Sequence, residues 1–140
     1  MPKHVNDGKC AKCLEILVGV EPRLIDWFKS FQTMNQDAHV AWGSRGEKDQ
    51  NDALKRGTSK AKWGESPHNF IPALAIDLFR LTITGAEWPA SWFNAYVGPE
   101  VAKHPELTWG GTFSHFADRP HIEIKAWKDL VKSGKAKLPT

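Results

Sequence analysis

Four polar residues stand at the edges of apolar runs between positions 68 and 121: His68, Asp77, Asp118 and His121. In "SPHNFIPALAIDLF", His68 sits in a proline-flanked loop, and Asp77 follows nine positions later (77 − 68) inside an apolar segment. A carboxylate there needs a partner, because an unpaired charge in a low-dielectric interior is too costly to keep. "DRPHIEI" then brings Asp118 and His121, three residues apart, to the start of another apolar stretch. Two histidines and one carboxylate make the three-ligand set usual for catalytic zinc, with a fourth position left for water. Zinc lowers the pKa of such a water to about 7, giving a nucleophile at neutral pH. Each histidine taken alone also reads as an ordinary surface or core side chain, and spacing leaves both readings open. Cys10 and Cys13 form a C-x-x-C with His4 as the only nearby third donor. Structural zinc needs four ligands, so this pair reads as two reduced cysteines without a function.

Positioning these side chains requires strands and loops in a definite order. Pro22 opens a helix that carries Leu24, Ile25, Phe28 and Phe31 and runs to about Met34. "AHVAWG" (Ala38 to Gly43) reads as a strand, and "EKDQNDALKR" (Glu47 to Arg56) as a polar helix closed by Gly57. Thr58 to Pro72 is a loop, and Ala73 to Ile83 a buried strand. A further helix is expected between Pro89 and Val101, with Trp92, Phe93 and Tyr96 on one side. "LTWGGTF" (Leu107 to Phe113) and "PHIEI" (Pro120 to Ile124) read as short strands, the second alternating His121 and Glu123 against Ile122 and Ile124. "AWKDLVKSG" closes the chain as a helix ending at Gly134. Helices and mostly non-crossover strands interleave irregularly, which predicts an α+β fold with a small, mostly antiparallel sheet flanked by helices.

At 140 residues, 41% hydrophobic and 25% charged, the chain suits a single domain spanning 1–140 with a core that needs no disulfide staples. The net charge of +3 favours anionic surfaces such as cell wall or nucleic acid without choosing between them, and is too weak to favour a nucleic-acid binder as a third reading. "MPKHVNDGKCAKC" has no apolar h-region, and no run approaches the roughly 20 apolar residues of a membrane span. A cytosolic, monomeric protein without membrane insertion is therefore expected.

"SPHNFIPALAID" resembles the zinc signature of the M15 peptidase family, which includes D-Ala-D-Ala carboxypeptidases and phage endolysins. The pattern is S-x-H, a short spacer, A-x-D, then a later D/E-x-x-H. Ser66, His68, Ala75 and Asp77 match the first part, and "DRPH" supplies Asp118 and His121. Upstream, "GSRGEKDQNDALKRGTS" is similar to a G-x-R-…-Q-…-G-x-S stretch through Gly43, Arg45, Gln50, Gly57 and Ser59. "TWGGTFSHFADRPHIEI" is similar to a W-G-G-…-D-x-P-H-x-E/Q segment, so the motifs span about Ala38 to Ile124 in the family's order.

The resemblance implies a Hedgehog/DD-peptidase-like zinc fold. It implies His68, Asp77 and His121 as zinc ligands, Asp118 as the catalytic acid/base, and Arg45 as the residue that steadies the oxyanion or holds substrate. Ser66, Gln50 and Trp109 become candidates for substrate binding, although Gln50 also reads as a brace for Arg45 and Trp109 as core. Glu123 reads either as a partner for a ligand histidine or as a solvent-facing charge, and Trp63, Trp88 and Trp92 as packing. The implied activity is hydrolysis of peptidoglycan stem peptides, at an L-Ala–D-Glu or a D-Ala–D-Ala-type bond. It would be an endolysin held in the host cytosol until release to the wall. Two rivals are a non-catalytic binding protein on the same zinc fold and a two-histidine, one-carboxylate iron oxygenase. Retention of Asp118 counts against the first. Against the second stands the nine-residue gap, where such enzymes usually have H-x-D.

Overall fold

The computed structural model of the chain describes residues 2–140. In chain order its elements begin with α1 (Ala11–Ile16), α2 (Pro22–Met34), β1 (Ala38–Trp42) and α3 (Glu47–Arg56). A 3-10 turn (Pro67–Asn69) precedes β2 (Ala75–Thr82) and β3 (Gly85–Glu87). Next, α4 (Ala90–Trp92) runs through a π turn (Phe93–Val97) into α5 (Gly98–Ala102). Finally come β4 (Leu107–Trp109), a second 3-10 turn (Gly110–Thr112), β5 (His121–Ile124) and α6 (Trp127–Lys132). The strands pair antiparallel in the order β1-β2-β5-β4, with β3 also pairing β2. The α+β architecture is the one expected.

Period-two alternation sorts the sheet's two faces. Ile76 and Leu78 of β2, with Ile122 and Ile124 of β5, are buried in the core. They share it with Leu24, Trp27, Phe28 and Phe31 of α2 and with the α4–α5 segment. Full burial of each such side chain is worth about 1.5–3 kcal/mol, so the register of β2 and β5 is strongly held. Asp77 falls on the other face. It lies directly across from His121 on β5 and from Trp42 on β1. Directly opposed residues share a face, with Cβ atoms about 4.5–5.5 Å apart, so pairing alone brings Asp77 and His121 together. An extra residue, Ala41, interrupts the β1–β2 ladder between Val40 and Trp42. This bulge shifts the register by one and puts Trp42, rather than Ala41, opposite Asp77.

Several boundaries differ from expectation for identifiable reasons. The Leu107 to Phe113 strand stops at Trp109, because Gly110–Thr112 turn tightly to send the chain toward Asp118. The expected helix from Pro89 contains the π turn, which widens the helix beyond 3.6 residues per turn. Val97, five residues after Trp92, is therefore buried, whereas Tyr96, four after it, is 53% exposed. The closing helix is capped at Ser133, with Gly134 (φ 78°) just beyond it. Neither α1 nor β3 is apparent in the sequence pattern, being only six and three residues long.

Candidate active site

Each of the three expected ligands is held by a different local device. Ser66 caps the Pro67–Asn69 turn: its Oγ accepts from the His68 N–H at 3.2 Å, and Asn69 Oδ1 accepts from the Ser66 N–H at 3.2 Å. Proline at the first position suits such a turn, since its missing N–H would have no partner there. The His68 ring then points inward, 2% exposed, with Nδ1 donating to the Gly43 carbonyl oxygen at 2.8 Å. A side chain at Gly43 would collide with Val20 and with the Ile16 carbonyl oxygen, so glycine lets the segment just after β1 pack against the end of α1. Asp77 and His121 come from the paired positions on β2 and β5.

The donor atoms converge. Asp77 Oδ1 lies 3.3 Å from His68 Nε2 and 3.1 Å from His121 Nδ1. Two nitrogen or oxygen ligands on a tetrahedral ion, at about 2.0–2.1 Å, would stand about 3.3 Å apart. His68 Nε2 is buried without a hydrogen-bond partner. Its distance to Asp77 is short but the alignment is not that of a hydrogen bond. Because a carbonyl only accepts, the proton of a neutral His68 is on Nδ1, which leaves a lone pair on Nε2 facing a carboxylate oxygen. A cation between them satisfies both. On His121 the other nitrogen, Nε2, meets Glu123 Oε1 at 2.8 Å, the arrangement by which a carboxylate fixes a ligand histidine's tautomer. The donor set and its spacing fit a divalent cation held by His68, Asp77 and His121.

The charges are arranged to favour that occupant. Asp77 is held well below the usual carboxylate range: burial opposes this, but the adjacent His68 and His121 outweigh it. Without a metal, burial works against a charged His121, yet its hydrogen bonds to Asp77 and Glu123 push it up to about 10. Asp118 is not among the converging donors. Burial, and then the charge of Asp77, raise its pKa, while His121, His68 and Arg45 pull it back. Its N–H donates to the Gly110 carbonyl oxygen at 2.9 Å, and its own carbonyl oxygen accepts from the His121 N–H at 3.1 Å. Any Cβ on Gly110 would strike the Asp118 carbonyl oxygen, so the "WGG" glycine is what allows this close approach.

Arg45 is not a solvated turn residue. Its side chain is 10% exposed, donates from Nη2 to Asp77 Oδ2 at 3.3 Å and from Nη1 to Gln50 Oε1 at 3.4 Å, and lies over Trp42 with 5.1 Å to the ring centroid. Arg45, Ser66, His68, Asp77, Asp118, His121 and Glu123 all line one cleft of about 850 Å³.

Two of the candidate substrate residues, Gln50 and Trp109, have their polar atoms engaged within the fold. Gln50 is fully buried, and its amide is taken up by Arg45, Asn69, Ser59 and the Ala61 carbonyl oxygen, so it braces the arginine. Trp109 lies outside the cleft; its Nε1 donates to the Arg119 carbonyl oxygen at 2.7 Å and its ring covers Gly98. Conversely, Trp88, expected to pack, is 56% exposed at the cleft and leans on Phe79. Trp42, Phe113 and Phe116 complete an aromatic wall that sequence reasoning did not assign. Asn69 was also missed: it ties the His68 turn to the Arg45 carbonyl oxygen and to Gln50.

The crystal structure of the Serratia marcescens L-Ala D-Glu endopeptidase ChiX superimposes with a TM-score of 0.67 at 21% identity, covering 86% of this chain and 90% of that one. The two chains share a fold. In sequence, the chain is 30% identical to the peptidoglycan L-alanyl-D-glutamate endopeptidase CwlK of Bacillus subtilis (strain 168), over 63% of its own length. It spans 60% of the length of that relative. No family model matches the chain.

Proposed function

We propose that the chain is an M15-type zinc peptidase that hydrolyses a stem-peptide bond of bacterial peptidoglycan. The single observation that carries the reading is the lone pair of His68 Nε2, buried without a hydrogen-bond partner and converging with Asp77 and His121 in an open cleft. Three donors rather than four are the pattern of a catalytic ion, and nitrogen and oxygen donors suit zinc. Both relatives carry the L-Ala–D-Glu activity in their names, which favours that bond over D-Ala–D-Ala. Service as a phage-type endolysin, acting as a monomer on the wall, belongs to the same proposal.

When bound, zinc supplies Lewis acidity that makes water a nucleophile near neutral pH. The remaining work falls to side chains of this chain. Asp118, in the cleft but outside the ligand set, takes the proton of the attacking water and returns it to the leaving amine. Burial, and then the charge of Asp77, raise its pKa, the direction that suits a group that must both accept and give up a proton. Arg45, braced by Gln50 and stacked on Trp42, presents a permanent charge to the carbonyl oxygen that becomes negative, or to a substrate carboxylate. Trp42, Trp88, Phe113 and Phe116 give the peptide an apolar wall.

The test is digestion of purified peptidoglycan with mass spectrometry of the products. Cleavage at L-Ala–D-Glu is expected, lost on chelation and restored by zinc. Asp118→Asn should retain its zinc and lose about 100- to 10,000-fold in turnover, the range for a positioned acid/base. Intact peptidoglycan after incubation with the zinc-loaded protein would refute the activity. Wild-type turnover in Asp118→Asn would refute the mechanism and move the search for the base to Glu123.

A further inference from the structure

The cysteine pair that the sequence left without a role is not isolated in the fold. Cys10 caps α1, Cys13 follows within its first turn, His4 comes from the segment ahead of it, and His39 comes from β1. Their four donor atoms all lie within 4.8 Å of one another, and none of the four residues lines the cleft. We propose that His4, Cys10, Cys13 and His39 form a second metal site, a closed Cys2His2 centre that binds zinc and fastens the N-terminal segment to the sheet.

Distances fit first. A sulfur at about 2.3 Å and a nitrogen at about 2.0–2.1 Å from a tetrahedral zinc ion stand about 3.5 Å apart. His4 Nδ1 is 3.4 Å from both sulfurs, and His39 Nδ1 is 3.3 Å from Cys13 Sγ. The same distances suit S–H···N hydrogen bonds from the two thiols, so the tautomer of His39 and the metal tests below separate the two arrangements. His39 Nε2 lies 2.6 Å from Asn6 Oδ1, and the Asn6 amide nitrogen donates to the Leu81 carbonyl oxygen, so Asn6 offers its oxygen and the His39 proton is on Nε2. Nδ1 of His39 is therefore a bare lone pair. Cys13 has one thiol proton and faces two imidazole nitrogens with it.

Three N–H donors are aimed at the two sulfurs. Cys13 Sγ receives the Val40 N–H at 3.4 Å and the Gln32 amide at 3.6 Å, and Cys10 Sγ receives the Cys13 N–H at 3.3 Å. Donors aimed at sulfur stabilise negative charge there, and a buried pair of thiolates requires a cation. Both cysteines and His39 are fully buried, and His4 closes the remaining side. Four protein donors with no open position describe a structural ion, in contrast to the three donors in the cleft. The Asn6 carbonyl on His39 supplies the orienting contact that ligand histidines usually have. Residues 2–10 form no helix or strand, so a metal staple would be their main attachment to α1, α2 and β1.

The experiment uses the full chain, purified under reductant and reconstituted with zinc. Two zinc ions per chain are expected, and X-ray absorption should show a sulfur shell near about 2.3 Å. Cobalt in place of zinc should give a thiolate-to-metal charge-transfer band in the near ultraviolet. Cys10→Ser/Cys13→Ser should lose that band and one zinc, keep the other, and melt at a lower temperature. His68→Ala should lose only the other zinc, so failure of this site and failure of the cleft site are read separately. Should the double serine variant not fold, the sulfur shell and cobalt band of the intact chain decide alone. Absence of sulfur around the metal in the intact chain overturns the proposal. So does a folded double serine variant that still holds two zinc ions.

Discussion

Changing Glu123 to glutamine should weaken the cleft's hold on zinc without touching any ligand. Glu123 Oε1 is 2.8 Å from His121 Nε2, and the side chain is 14% exposed, so this is a short, largely desolvated, charge-assisted contact. Such bonds contribute about 1.5–3 kcal/mol and neutral ones about 0.5–1.5. Glutamine keeps an acceptor oxygen but loses the charge, a difference of about 1–2 kcal/mol, or roughly 5- to 30-fold in affinity. Glu123→Ala also removes the acceptor and should reach the upper part of the 10- to 100-fold range seen for partners of ligand histidines. The assay is peptidoglycan hydrolysis in zinc buffers, reading the free zinc that gives half-maximal rate, because that quantity reports the cleft alone. Turnover at saturating zinc should stay close to wild type. If Glu123→Ala needs no more zinc than the wild type, the carboxylate does not orient His121. If turnover collapses at saturating zinc, Glu123 belongs to the chemistry instead.

Arg45→Ala should remain folded and keep its zinc, and turnover should fall by about 100-fold or more, the cost of one oxyanion donor; unchanged turnover would remove Arg45 from the mechanism. The metal-free protein should show the pH dependence set by its ligands. His121 is raised from its usual value near 6.5 to about 10, so the stability it contributes is fully present below about 6.5 and is lost as pH rises toward 10. Asp77 is depressed, so its contribution is present above about pH 4 and is lost on further acidification. Melting temperatures of the chelated protein should therefore decline from pH 6.5 to 10. Over that window apparent zinc affinity of the cleft should rise about tenfold per pH unit, because binding expels one proton; a pH-independent affinity would refute the assignment of His121 Nδ1.

Much of the cleft was legible because its residues lie at fixed spacings on simple elements. The alternation of "HIEI" correctly placed His121 and Glu123 on one face of β5. It could not say that Glu123 would face the His121 ring rather than water, since periodicity identifies a face but not its neighbours. The same limit explains Gln50 and Trp109: motif positions show that a residue matters, while only packing shows whether it touches substrate or supports one that does. The Cys2His2 cluster was hidden by sequence distance. His39 stands 26 residues beyond Cys13, on a strand whose pairing with β2 decides where its ring points. The π turn was hidden because nothing in "SWFNAYV" departs from an ordinary helical pattern.

The peptide between Gly110 and Asp118 is anchored at both ends, by the Asp118 N–H on the Gly110 carbonyl oxygen and by the Asp118 carbonyl oxygen on the His121 N–H. Between those anchors, Phe113, Ser114, His115 and Phe116 border the cleft. Residues can therefore be gained or lost at 114–116 with Asp118 and β5 left in register. A single insertion within β5 would instead exchange His121 for an isoleucine on the site face. Evolution or an engineer thus has two unequal kinds of length change to work with. One redraws the rim of the cleft, and the other breaks up the cluster of His68, Asp77 and His121 outright.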